Sequence, residues 1–199
     1  MTARPLVVLL ALLALVTTGC SSLEGTGDKG YISGDGQITA IDPVDRGKPI
    51  ALTGEDLDGN EVSLEDLRGK VVVVNYWWSQ CPPCRVEQPA LNDAATELGD
   101  DAAFIGINIR DLSADNGLAY ARKFDVPYPS VYDPSGKALL SFSGVLRRNA
   151  IPSTLVLDKE GRVAATVIGS VPGTRTIPDL VADLADEGAA ESPAGETGG

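Results

Sequence analysis

Two cysteines separated by two prolines, Cys81-Pro82-Pro83-Cys84, stand between an unbroken apolar run and an amphipathic segment. The run is Val71-Val72-Val73-Val74-Asn75-Tyr76. Its apolar residues do not alternate, which predicts a strand buried on both faces of a parallel or mixed sheet. The segment that follows has apolar residues at Val86, Ala90, Leu91, Ala94, Ala95 and Leu98, a helical spacing that stops at Gly99. The cysteines therefore sit where a buried strand hands over to a helix. A helix N-terminus has unpaired N–H groups and partial positive charge, and both favour a thiolate over a thiol. The thiolate is the nucleophile of disulfide exchange, so this placement predicts a redox pair. Pro82 and Pro83 have no N–H to offer the Cys81 sulfur, which leaves Cys84 N–H and groups further along the helix. Fewer donors stabilise the reduced form less, and that predicts a reductant rather than an oxidant.

Composition removes the competing chemistries. There is no histidine among the 199 residues, and the third cysteine is Cys20, at the end of an apolar leader. A zinc site needs about four N/S ligands, so no metal is expected. A structural disulfide closing so short a loop would restrain little chain entropy. The net charge of -12 repels nucleic acid, which is excluded as a partner.

The N-terminus reads as an export signal over residues 1–19: Arg4, then an apolar run from Leu6 to Val16, too short to span a bilayer. Thr17-Thr18-Gly19-Cys20 resembles a bacterial lipoprotein signal, with Cys20 as the lipidated residue; a cleaved secretory peptide is the alternative. Residues 20–36 are rich in Ser, Gly and Asp and read as a flexible tether. A single domain is expected over 37–187. Short strands are expected at Ile38–Ile41 and Ile50–Thr53, and a hairpin around Asp58-Gly59-Asn60. Ala103–Ile109 should be a second buried strand, followed by a helix capped by Ser113 or Asp115 and a short strand at Val131-Tyr132. Ser153–Asp158 and Arg162–Ile168 should pair as a hairpin, and Ile177–Leu184 should form the last helix. Residues 188–199 read as a disordered acidic tail.

This order resembles an α/β thioredoxin fold with an N-terminal β extension and a central helical insertion at 111–136. More narrowly, the chain is similar to extracytoplasmic thioredoxin-like disulfide reductases of the TlpA/ResA type. The resemblance lies in Leu64-Glu65-Asp66-Leu67-Arg68-Gly69-Lys70, Asn75-Tyr76-Trp77, Cys81-Pro82-Pro83-Cys84-Arg85, Glu87, Pro89, Pro127-Tyr128-Pro129 and Ile151-Pro152-Ser153-Thr154. Gln80 and Trp78 stand where the family usually has a tryptophan and a small residue. The resemblance implies that Cys81 is an exposed nucleophile and Cys84 a buried resolving thiol. It implies a cis bond at Ile151-Pro152, which with Trp77 borders the client. It implies that Glu87 helps proton transfer to Cys84, a role made more attractive because Asn75 replaces the buried aspartate of cytoplasmic thioredoxins. The redox-active Cys81–Cys84 disulfide needs no cofactor. Implied partners are exported proteins with disulfides, apocytochrome c among them, a membrane electron donor of the thiol-disulfide relay type, and the membrane itself through the lipid on Cys20. The location implied is the outer face of the cytoplasmic membrane. Two readings compete. A peroxiredoxin-like thiol peroxidase would want a threonine at the place of Trp78. A thioredoxin-fold binding or chaperone module would leave the cysteines idle.

Overall fold

The computed structural model describes residues 38–146 and 150–190. The leader, Cys20, the tether and the tail beyond Ala190 lie outside the described residues. At the centre is β4 (Val71–Trp77), buried along its whole length. It pairs in parallel with β5 (Ala102–Ile109) and antiparallel with β7 (Ser153–Leu157). This is the mixed sheet that the unbroken valine run predicts. Outside these lie β6 (Ser130–Asp133) beside β5 on one flank, and β8 (Val163–Ile168) and β1 (Ile38–Ala40) beside β7 on the other. The sheet order is β1-β8-β7-β4-β5-β6, and β2 (Thr53–Glu55) and β3 (Glu61–Ser63) form a separate hairpin.

Helices cover the sheet because each strand face is apolar. On one face, α1 (Pro82–Leu98) brings Leu91 and Ala94, and the final helix brings Ile177, Leu180, Val181 and Leu184 onto Val71, Val73, Phe104 and Val156. On the other, Val72, Val74, Ile105, Ile107 and Leu155 pack with Leu64 and Phe142. Each such fully buried side chain contributes about 1.5–3 kcal/mol before entropy is charged against it. The insertion supplies α2 (Ala114–Lys123) and strand β6. It therefore extends the sheet as well as adding a helix. A single turn, α3 (Ala138–Ser141), precedes the cis-proline loop, and α4 (Thr176–Ala190) closes the chain.

Two local expectations need adjusting, at residues 50–52 and at the end of the last helix, and that of a helix from the cysteines to Gly99 holds. Residues 50–52 are not a strand. Ile50 N–H donates to the Gly161 carbonyl, and Arg68 Nη2 caps the Ile50 carbonyl at 2.6 Å, so its backbone groups are spent before any ladder can form. α1 begins at Pro82, with Cys81 as its N-cap, and stops at Gly99 with φ 50°. Prolines suit those first positions because the N–H groups there have no helical partner. The last helix runs to Ala190 and so takes in residues 188–190, where tail was expected.

Candidate functional site

Cys81 and Cys84 form a disulfide at the start of α1, with Cα atoms 5.3 Å apart. The local sequence forces this arrangement. β4 ends at Trp77, the chain turns through Trp78–Gln80 with Cys81 N–H donating to the Trp78 carbonyl, and the helix starts at once. Cys84 N–H donates to Cys81 Sγ at 3.1 Å, the contact that the prolines leave open. The expectation of an exposed Cys81 is corrected: the residue is 3 % exposed and Cys84 is 1 % exposed. In the disulfide form both pack in one apolar cluster with Leu57, Trp77 and Tyr120, against which Trp78 and Ile151 lie half-buried. Pro82 and Pro83 take the solvent side instead.

Behind the cysteines, on the side of β7, lies Glu87. It stands three residues past Cys84 on α1, one helical turn away. It is 2 % exposed, not a solvated helix-face glutamate. Asn75 Nδ2 donates to its Oε1 at 3.0 Å and also to Thr154 Oγ1 at 3.1 Å. Val171 N–H donates to its Oε2 at 2.9 Å. Asn75 and Thr154 are directly paired across β4 and β7, which fixes this geometry in the sheet register. Burial pushes the Glu87 carboxyl up to about 7, with the bonds from Val171 and Asn75 pulling the other way. The Ile151–Pro152 bond is cis, Pro152 is buried, and its carbonyl accepts from Gly169 N–H. Ile151 is half-buried and touches both the cysteine cluster and the core beneath.

The other side of the disulfide belongs to the insertion. Trp77, expected to border the client, points inward and is 1 % exposed. Its ring stacks on Tyr120 at 4.5 Å and its Nε1 donates to Ser130 Oγ. Gly106 allows this: a Cβ there would collide with Ser130 Oγ and Trp77 Nε1. Trp78 is the tryptophan left half-exposed. Tyr120 also lies tilted against Phe124, with ring centroids 4.5 Å apart, and its hydroxyl reaches the Cys84 carbonyl at 3.0 Å. Burial raises the Tyr120 hydroxyl well above the usual tyrosine range, so it stays a neutral donor. Asp111, also buried, accepts from Ser79 N–H at 3.0 Å, Ser79 Oγ at 2.7 Å and Asn108 Nδ2 at 2.8 Å. It pins the loop that leads into Cys81. Asp111, Tyr120 and Asn108 were not legible as site residues in the sequence. No local pattern marks them: the return of the chain over 30-odd residues brings Asp111 to Ser79 and Tyr120 to Cys84, and Asn108 joins through Asp111.

Among the described residues no cluster of three or more His, Cys, Asp or Glu side chains could hold a metal ion, and no helix is long and apolar enough to cross a membrane. The arrangement can perform thiol-disulfide exchange: two sulfurs within bonding distance, one at a helix N-terminus, and a carboxyl of raised pKa one turn behind.

Comparisons with known proteins agree with this geometry. A thiol-disulfide oxidoreductase ResA from Bacillus cereus is 29% identical over 118 residues, covering 57% of this chain. The chain spans 64% of that relative's length. A ResA from Bacillus thuringiensis is 26% identical over 147 residues, 72% of this chain and 81% of the relative. Among solved structures, a secreted thiol-disulfide isomerase from Corynebacterium glutamicum superposes with a TM-score of 0.71 at 32% identity, covering 78% of this chain and 96% of the other. A DsbF homologue from Corynebacterium diphtheriae gives 0.68 at 33% identity, covering 79% and 96%. The family model described as AhpC/TSA matches residues 47–166, more than half of the chain, and takes in both cysteines, Glu87 and the cis-proline. The chain belongs to the AhpC/TSA family, in its thioredoxin-like branch with ResA-named relatives.

Proposed function

We propose that this protein is an extracytoplasmic thiol-disulfide oxidoreductase that reduces disulfides of exported proteins. The observation that carries the reading is the Cys81–Cys84 disulfide at the N-terminus of α1 with buried Glu87 one turn behind. In the reduced protein the Cys81 thiolate attacks one sulfur of the client disulfide. A Cys81–client bond forms, and the other client sulfur leaves as a thiolate. Cys84 then loses its proton and attacks Cys81 Sγ. That breaks the mixed disulfide, releases the second client thiolate and restores the Cys81–Cys84 bond, so the client gains the two electrons that the protein loses.

Glu87 is the group we assign to take the Cys84 proton. A base works best with a pKa near the working pH, and burial places this carboxyl at about 7. Asn75 and Val171 N–H hold it in place. Ile151 and Pro152 border the client, and half-exposed Trp78 takes over the part expected of Trp77. Among the described residues Cys84 N–H is the one hydrogen-bond donor to Cys81 Sγ, which supports a reductant. Its potential should lie well below the ~-120 mV of a strong oxidase. Export by residues 1–19, anchoring through a lipid on Cys20, recharging by a membrane thiol-disulfide relay protein and apocytochrome c as a client belong to the same reading. The ResA-named relatives favour it over a peroxidase.

The test is a trap. A Cys84→Ala chain expressed in its own cell envelope should accumulate mixed disulfides through Cys81, and mass spectrometry would name the clients. Finding no adduct, while the intact protein consumes hydrogen peroxide, would replace this reading with the peroxidase. In the chain with both cysteines intact and reduced, Glu87→Gln should flatten the pH dependence of Cys84 alkylation between pH 5 and 8. An unaltered profile removes Glu87 from the mechanism.

A further inference from the structure

A cleft of about 250 Å³ opens beside the disulfide, between the start of α1 and helix α2. Ser79, Arg85, Asn116, Tyr120, Lys123 and Phe124 line it. Its position ties it to the chemistry. Ser79 is two residues from Cys81, Arg85 follows Cys84, and Tyr120 reaches the Cys84 carbonyl. A client held by its sulfur on Cys81 would therefore lay neighbouring residues over this cleft, since an extended chain advances about 3.3 Å per residue.

The charge of the cleft opposes that of the molecule. The whole chain carries -12, yet both charged residues lining the cleft are cations. Arg85 Nε and Nη2 are held on the Ser79 carbonyl at 3.0 and 2.6 Å, which fixes the guanidinium without neutralising it. Lys123 Nζ sits 5.6 Å from the Phe124 ring centroid. Among the described residues neither cation is in an ion pair with a carboxylate, whereas Arg46, Arg162 and Arg175 all are. The nearby Asp111 carboxylate is buried and accepts hydrogen bonds from Ser79 and Asn108. Asn116 and Ser79 add polar edges, and Tyr120 and Phe124 an aromatic floor.

We infer that this cleft binds an aspartate or glutamate side chain lying a few residues from the client's disulfide, so that the protein acts preferentially on acid-flanked cysteines. The inference rests on the oxidoreductase reading above and adds to it a class of client. The insertion is what supplies it, because Asn116, Lys123 and Phe124 all come from that segment.

The experiment uses the full chain, reduced and freed of reductant, mixed with three peptide disulfides that differ only in flanking residues: aspartate, asparagine or lysine. Exposed ion pairs are individually weak, so the two together should favour the aspartate peptide over the lysine peptide by about fivefold in kcat/KM, mostly through KM. Lys123→Glu should erase or invert that ratio, and Lys123→Gln should give an intermediate ratio. Both changes sit on the exposed face of α2 and leave the core untouched. Equal rates for all three peptides would overturn the inference and leave the oxidoreductase reading standing. An aspartate preference that survives Lys123→Glu would also overturn it, by placing the preference elsewhere. Reduction of none of the peptides would overturn the oxidoreductase reading and this inference with it.

Discussion

The two sides of the disulfide are built by different logic. On the β7 side, Glu87, Asn75, Thr154 and Val171 N–H form a short chain of hydrogen bonds around one titratable carboxyl. On the insertion side, Trp77, Tyr120 and Phe124 form a stacked aromatic wall, and Asp111 ties down the entry loop. The first side holds a carboxyl that titrates near neutral pH; the second is built from ring packing and hydrogen bonds. Under the proposed function the contrast is a division of labour: one flank takes up the proton, and the other holds the loop and helix that carry the sulfurs. Mutation can break that division, and the expected effects fall in a definite order.

The largest effect should come from the wall. Trp77→Ala removes a buried ring, its stack on Tyr120 and its bond to Ser130. Aromatic-to-alanine changes in a core cost about 3–5 kcal/mol. Denaturant unfolding of the disulfide form should show a loss of that size, independent of pH between 5 and 8. A loss under about 1 kcal/mol would mean that the wall is loosely packed and that the contrast with the Glu87 side is overstated.

Glu87 should behave in the opposite way, with an effect that depends on pH. Burial raises its pKa to about 7 from the ordinary 4.5. The folded protein therefore keeps a proton that the unfolded chain has lost over that interval. The stabilisation linked to the protonated form is complete below the unfolded pKa, declines as pH rises towards about 7, and is gone above it. Each pKa unit is worth about 1.4 kcal/mol, so wild type should lose about 2–3 kcal/mol relative to Glu87→Gln between pH 5 and pH 8. The sign is the test: a variant that becomes relatively less stable at high pH would mean that Glu87 is ionised in the folded protein throughout, stabilised by Asn75 and Val171.

How much of this was legible beforehand follows the same division. β4, α1 and the cysteines between them could be read because their signals are local: an unbroken valine run, helical spacing and two prolines where helix N–H groups are spare. Glu87 sits one turn past Cys84, so its neighbourhood followed once the helix was placed. Its burial did not, because that depends on Val171 arriving from 84 residues away. The insertion wall was hidden for the same reason. Asp111 is one of 28 acidic residues, and nothing nearby marks it as the one that folds back onto Ser79. Trp77 and Trp78 are adjacent aromatic residues. Trp77 is the last residue of a strand buried along its whole length and Trp78 lies just past its end, and nothing in the local sequence marks that end. Residues 50–52 had strand-like composition, yet Arg68, 18 residues on, took the Ile50 carbonyl.

Asp111→Ala should come third. It leaves Ser79 N–H and Asn108 Nδ2 without the acceptor that they share. Leaving a buried donor unmet costs about 1–3 kcal/mol. Because Ser79 leads directly into Cys81, the loop itself should loosen. Amide exchange at Ser79 and Gln80 should then quicken by at least tenfold while the amides of β4 remain protected. Uniform loss of protection across the sheet would make Asp111 a general stabiliser rather than a restraint on the site.

The smallest change separates packing from polarity within the wall. Tyr120→Phe keeps the ring between Trp77 and Phe124 and removes only the hydroxyl that meets the Cys84 carbonyl at 3.0 Å and Gln88 Oε1 at 3.3 Å. One ordinary hydrogen bond is worth about 1 kcal/mol. The shorter contact is made to the backbone of the first turn of α1, not to sulfur. If the insertion side only holds the helix, the loss should be equal in the disulfide and dithiol forms, and the reduction potential should not move. An unequal loss would appear as a shift of about 30 mV for each 1.4 kcal/mol of difference. Such a shift would give the aromatic wall a share in setting the redox balance, and the line between a proton-moving flank and a static one would have to be redrawn at Tyr120.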